Sequence, residues 1–287
     1  IPFGALRDQA DRYLVERYTF TYLTTGRDLL RAGSGAPARQ APVIVADPEF
    51  GAPDPAGARG VASVASTRSL DLVALDFEAL PGSAAEARAI QPLLPGSLVL
   101  TGAGATETAV KQLRGPRVLH VASHGFFLPD QAPDRPAAGT RSPRRENPLL
   151  RSGLVLAGAN RLASGTDDGI LTALELAGLD LVGTRLVTLS ACETGLGDVQ
   201  QGEGVYGLRR ALVIAGAETQ VISLWKVADD ATEELMTDFY RQLSAGLGRS
   251  EAFRAGQLNM LARPQTSHPF FWASFIVSGN WRPIAPD

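Results

Sequence analysis

The chain has 287 residues, 45% of them hydrophobic and 20% charged, with a formal net charge of −3. That is an ordinary globular composition, and without a basic cluster interleaved with aromatics it argues against nucleic acid as the main partner. No apolar run approaches membrane-spanning length, residues 1–30 lack the sections of a secretory signal, and a single cysteine excludes an internal disulfide, which fits a reducing compartment such as the cytoplasm. The start at Ile1 rather than at a methionine reads as a piece of a longer chain.

Residues 1–31 predict a turn at Arg7-Asp8-Gln9 between a short strand and a strand over Tyr13 to Tyr22, then a helix capped by Thr24 or Thr25. Ala32 to Arg39 is a linker, Pro42 to Ala46 a buried strand, and residues 47–69 a loop rich in Pro, Gly and Ser. Ser83, with Glu86 three residues on, has the pattern of a capping box for a helix ending at Pro95-Gly96. Leu98 to Leu100 predict a strand, Thr106 to Leu113 a helix and Arg117 to Ser123 a second buried strand. Strands alternating with helices imply parallel β-α-β units with right-handed crossovers.

Residues 128–148, proline- and arginine-rich with no apolar periodicity, predict a mobile surface loop inserted after His124. Gly153 to Ala157 resume the sheet, Thr172 to Glu175 lead a short helix ending at Gly178, and Leu186 to Ala191 form a third buried strand. Helices over Glu203–Ala215, Thr232–Leu243 and Ser250–Leu261 alternate with strands over Thr219–Leu224 and Phe271–Val277. No repeat or composition shift divides the chain, so a single domain over 1–287 is expected.

Two strands end on reactive residues followed by glycine-bearing turns. Arg117 to Phe127 reads RVLHVASHGFF, and Arg185 to Gly197 reads RLVTLSACETGLG. Parallel sheets deliver chemistry at the carboxyl ends of their strands, so His124 and Cys192 become neighbours if the two strands pair. A thiol needs an imidazole to take its proton, and these two supply that pair. By default a lone cysteine is a small buried hydrophobe, but one at a strand end beside Gly195 and Gly197 has its sulfur exposed. His120 falls inside its strand run and reads as structural, whereas His268 stands before Pro269 at a strand entrance. Glu193 directly follows the nucleophile and points away from it on an extended backbone. Trp225, ending a strand on the same sheet edge, fits equally as core filler or as the wall of a cleft. No Cys/His pair has metal-ligand spacing; Asp167-Asp168 and Asp229-Asp230 read as loop or cap residues, and Gly202-Glu203-Gly204 lacks the lysine of a phosphate loop.

SHGFF at 123–127, LSACETGLGD at 189–198, GEGVYGLRRAL at 202–212, SLWKVADDAT at 223–232 and HPFFWASFIVSGNW at 268–281 resemble, in this order, the motifs of the CHAT domain. That family is a caspase-like branch of the cysteine peptidases related to separases. The opening IPFGALRDQADRYLVERYTFTYL resembles its N-terminal hairpin, so the likeness covers nearly the whole chain.

The resemblance implies a caspase-type α/β sandwich, a mostly parallel central sheet with helices on both faces, and a catalytic dyad of His124 and Cys192. It further implies oxyanion donors at the backbone N–H groups of Gly125 and Cys192, a protein substrate and no cofactor. An N-terminal regulatory region, often of helical repeats, would precede such a domain. It also places the pocket for the residue before the cut bond along Ser223 to Asp230. If Asp230 and Glu233 cap the following helix, Asp229 is left to face the cleft beside Trp225, where a carboxylate would favour Arg or Lys; alternatively, Asp229 is itself the cap or orients the Trp225 loop. The reading from a different class is a caspase-like module kept for binding, with its dyad silent.

Overall fold

The computed structural model describes residues 1–31, 35–52, 76–128, 147–193, 203–225 and 228–284. Strands that are apolar on both faces need cover on both sides, and that requirement organises the molecule. Val43–Pro48 (β1), Leu98–Gly102 (β2), Val118–Phe127 (β3), Ser152–Val155 (β4), Ile170–Thr172 (β5), Leu186–Glu193 (β6), Thr219–Ser223 (β7) and Phe275–Gly279 (β8) join one sheet. Its main path runs β2-β1-β3-β6-β7-β8, with β4 on β3 and β5 on β4. Pairing is parallel from β2 through β7, while β8 and the β4–β5 pair are antiparallel. The helices are Asp28–Arg31 (α1), Pro81–Ile90 (α2), Glu107–Lys111 (α3), Ala173–Leu176 (α4), Glu203–Ala215 (α5), Asp229–Ser244 (α6), Arg249–Leu261 (α7) and Pro269–Trp272 (α8). This is the mostly parallel α/β sandwich that the sequence motifs imply.

Strand alternation divides the core in two. On one face of the sheet Leu119 and Val121 of β3, with Val187 and Leu189 of β6, join Leu208 and Leu212 of α5. On the other, Val118, Ala122 and Leu186 join Ile90 of α2, Leu235 and Phe239 of α6 and Phe253 of α7. Leu235 and Phe239 are fully buried, and burial of such a side chain stabilises by about 1.5–3 kcal/mol.

The structure departs from the sequence expectations where local polar groups or distant strands decide. Tyr13 to Tyr22 is not a strand. Leu14–Glu16 forms a 3₁₀ turn closed by Glu16 Oε2, which accepts from Tyr13 N at 2.7 Å, and only single bridges, Arg7 to Tyr13 and Tyr22 to Ser278, remain. Before α1 Thr25 caps as expected, its Oγ1 accepting from Arg27 N at 3.2 Å, while Asp28 Oδ2 reaches back to accept from the N–H groups of Thr24 and Thr25.

Helix α2 begins at Pro81, whose fixed φ suits a first turn, with Leu80 as N-cap and no side-chain cap. The expected capping box is therefore absent: Ser83 Oγ donates to Leu80 O and accepts from Asp47 N, while Glu86 is buried against the sheet. Thr106 and Thr172 do cap α3 and α4, the latter in a full capping box with Glu175. The last strand, expected over Phe271–Val277, begins only at Phe275: Phe271 and Trp272 belong to α8, with Pro269 in its first turn and the His268 ring accepting from Phe270 N. Most of the expected 128–148 loop and the turn bearing Gly195 and Gly197 lie outside the described residues. Among those described, no helix is long and apolar enough to cross a membrane.

Candidate active site

Strands β3 and β6 pair in parallel from Val118 with Leu186 to Gly125 with Glu193, and this register sets His124 directly opposite Cys192. His124 does not end its strand. β3 continues to Phe127 because Gly125, Phe126 and Phe127 find a second partner in β4. Gly125 is thus a strand residue between Leu154 and Glu193 rather than a turn. A Cβ there would stand 3.3 Å from Ala191 Cβ, so glycine suits the close approach of β3 and β6.

The His124 ring is 6% exposed and lies between two phenyl rings, with centroids 5.1 Å from Phe50 and 5.9 Å from Phe77. Its Nε2 is 2.8 Å from the backbone oxygen of Glu78. A carbonyl only accepts, so Nε2 carries the proton and, in the neutral ring, Nδ1 carries the lone pair. Nothing in the sequence marked Phe50, Phe77 or Glu78 for this role.

Below His124, on the same face of the sheet, runs a buried polar chain. Thr188 Oγ1 is 2.9 Å from the Tyr240 hydroxyl, which is 3.1 Å from His120 Nδ1. His120 Nε2 stands 3.1 Å from Glu86 Oε1, off the hydrogen-bond line, and Ser190 Oγ donates to Glu86 Oε2 at 2.9 Å. Burial pushes the Tyr240 hydroxyl well above its ordinary pKa, against the hydrogen bond from Thr188. His120 is therefore the structural histidine expected, and Glu86, read from sequence as a cap, links α2 to both central strands.

An open cleft of about 510 Å³ borders His124, with Glu78, Leu80, Pro81, Asp229 and Phe270 among its walls. Asp229 thus lines the cleft that His124 borders, though not through the capping expected: α6 starts at Asp229 after Ala228, and Asp230 Oδ1 accepts from Ala231 N. The Asp229 carboxylate lies over Gly82 in the first turn of α2, where a Cβ would overlap it and where free backbone N–H groups favour an anion. Trp225 is half-buried against the α2–α6 core. Its Nε1 donates to Phe270 O at 2.9 Å, so it stands behind the cleft wall and holds Phe270, which lines it. Among the described residues no group of three or more His, Cys, Asp or Glu side chains has the arrangement of a metal site.

Fold and register together define an α/β sandwich whose two central parallel strands carry a histidine and a cysteine side by side in the backbone ladder. The CHAT domain profile matches residues 1–280, and the chain belongs to that family. It is 27% identical over 295 residues to tetratricopeptide repeat protein 28 of Mus musculus, covering 98% of this chain and 12% of that protein. The Homo sapiens protein of the same name is 26% identical, with 98% and 11% covered. The chain therefore spans only a small part of the relatives it matches. Among solved structures it is similar to the Arg-specific cysteine proteinase gingipain R, with 10% identity, a TM-score of 0.46 and coverage of 85% of this chain and 46% of that one. A complex of the pro- and mature domains of Porphyromonas gingivalis RgpB gives 11% identity, a TM-score of 0.43 and coverage of 86% and 48%.

Proposed function

We propose that the protein is a cysteine endopeptidase in which His124 and Cys192 hydrolyse a peptide bond of a protein partner. The observation that carries this reading is the in-register pairing of the two residues on adjacent parallel strands. The hydrogen bond from His124 Nε2 to Glu78 O adds to it, because it leaves Nδ1 as the basic nitrogen. Residue 192 also has the strand parity of Ser190 and Thr188, which meet the α2 and α6 side chains on the face that holds His124.

In this mechanism Nδ1 takes the thiol proton and the thiolate attacks the substrate carbonyl carbon. The backbone N–H groups of Gly125 and Cys192 are the proposed donors to the developing oxyanion, each such donor typically lowering the barrier by about 3 kcal/mol. The imidazolium protonates the departing amine, and a water activated by the same nitrogen cleaves the thioester, releasing the acid and restoring the thiol. No cofactor enters. Asp229 at the cleft supports a preference for Arg or Lys before the cut bond, through a charge-assisted pair. The likeness to tetratricopeptide repeat protein 28 supports an N-terminal repeat region as the regulatory partner.

The test compares wild type with Cys192→Ala and His124→Ala on candidate protein partners. Both variants should lose cleavage, and wild-type Cys192 should react with iodoacetamide below pH 8 faster than a free thiol. Turnover that survives in Cys192→Ala refutes the reading. A reactive Cys192 that cleaves no protein points instead to a binding module with a silent dyad.

A further inference from the structure

The LAGAN stretch at 156–160, just after β4, has no part in the dyad reading, yet its last residue makes an unusual set of contacts. Gly158 (φ 84) and Leu162 (φ 50) bracket a 3₁₀ turn, Ala159–Arg161, in left-handed backbone. That turn presents Asn160 to two segments distant in sequence. The backbone N of Asn160 donates to Phe50 O at 3.0 Å. Its side-chain Nδ2 donates to Gly51 O at 2.7 Å and to Phe77 O at 2.9 Å, and Oδ1 accepts from Phe77 N at 3.0 Å. The amide therefore takes both backbone groups of Phe77, as a neighbouring strand would.

The residues it holds are those that surround the histidine. Phe50 and Phe77 flank the His124 ring, and Glu78, the residue after Phe77, supplies the carbonyl that takes the Nε2 proton. We propose that Asn160 is a positioning residue for His124: by clamping Phe50, Gly51 and Phe77 it fixes the Glu78 carbonyl, and with it the tautomer and orientation of the imidazole. This rests on the dyad reading. Only an amide satisfies the site. An aspartate of the same shape would turn a carboxylate oxygen toward two carbonyls, and an alanine would leave the Phe77 N–H without its acceptor.

The experiment uses the chain with Asn160→Asp or Asn160→Ala, beside wild type and His124→Ala. Circular dichroism and thermal unfolding first establish that each is folded. The rate of Cys192 alkylation by iodoacetamide is then followed from about pH 6 to 10, a readout that needs no substrate. If the imidazole loses its hold on the thiol and the thiol pKa rises by about one unit, the thiolate fraction below that pKa falls about tenfold. We expect such a loss near pH 6.5 in both Asn160 variants, approaching His124→Ala, with less than a twofold change where every thiol is ionised. A clasp that served stability alone would lower the melting temperature and leave this profile in place; folded variants with the wild-type profile overturn the inference. If wild type and His124→Ala share one profile, the dyad reading fails, and this inference with it. Proton–nitrogen NMR of wild-type His124 tests the same geometry without any variant: the Nε2–H tautomer is expected at neutral pH, and the Nδ1–H tautomer overturns the proposal.

Discussion

Ser190 stands two residues before Cys192, and its hydroxyl is one of the groups that hold the buried Glu86 carboxylate. Ser190 is 7% exposed and Glu86 4%, and the hydrogen bond between them is 2.9 Å long. A hydrogen bond to a charged group contributes roughly 1.5–3 kcal/mol, and an abandoned buried acceptor adds its own desolvation cost. Oε1 faces His120 Nε2 off the hydrogen-bond line, and among the described residues Ser190 is the donor to Oε2, so removing the hydroxyl leaves that oxygen without it. Ser190→Ala should therefore cost about 2 kcal/mol. For a chain of this size that corresponds to a fall of roughly 3–4 °C in Tm. Urea unfolding should show a lower midpoint at unchanged slope. In a Glu86→Gln background the same substitution should cost at least about 1 kcal/mol less, because the acceptor is no longer charged. A single-variant loss under about 0.5 kcal/mol, or strict additivity in the double variant, would refute the assignment of Glu86 as the charge that ties α2 to β6.

Lys111 Nζ lies 2.7 Å from Glu107, 2.9 Å from Asp167 and 3.0 Å from Glu175. Burial works against its charge, yet these three carboxylates hold its pKa above the usual lysine value. Since Glu107 is fully buried, Lys111→Met should destabilise by roughly 2–4 kcal/mol in urea, and a loss under about 1 kcal/mol would contradict this. Tyr240 has its hydroxyl pKa raised by burial above the ordinary 10.0, so its contribution is intact below that pH and is lost as pH climbs toward the folded-state value. Tyr240→Phe should thus be less stable by about 1 kcal/mol near pH 8, yet lose less further stability than wild type between about pH 10 and 12. Equal alkaline losses would show that Tyr240 does not govern that limb. Asp229→Ala should abolish a preference for Arg or Lys before the cut bond in a peptide-library profile; an unchanged basic preference removes Asp229 from substrate binding.

The sequence by itself determined the strands that carry the site. Leu186 to Ala191 and Val118 to Ser123 are apolar on both faces, a pattern that only a sheet covered on both sides satisfies, and helix Glu203–Ala215 was legible to the residue from its spacing. The candidate pair His124 and Cys192 followed from where those runs stop, and register then set the two opposite one another. Local signals failed where a distant partner outweighed them. Glu86 has the spacing of a capping residue, but Ser190, 104 positions away, claims its carboxylate. β3 extends past His124 because β4 arrives to pair with Gly125 to Phe127, and Gly125, which reads as a turn, packs where only a small residue lets two strands close. The carbonyl that orients His124 lies 46 residues before it, and the amide that holds the neighbouring Phe77 comes from 83 residues beyond that phenylalanine. Periodicity reports what a segment buries, since each residue of a helix or strand meets the same neighbours along its own chain. Which backbone carbonyl meets an imidazole depends on the closing of long loops against a finished sheet, and only the tertiary structure decides it.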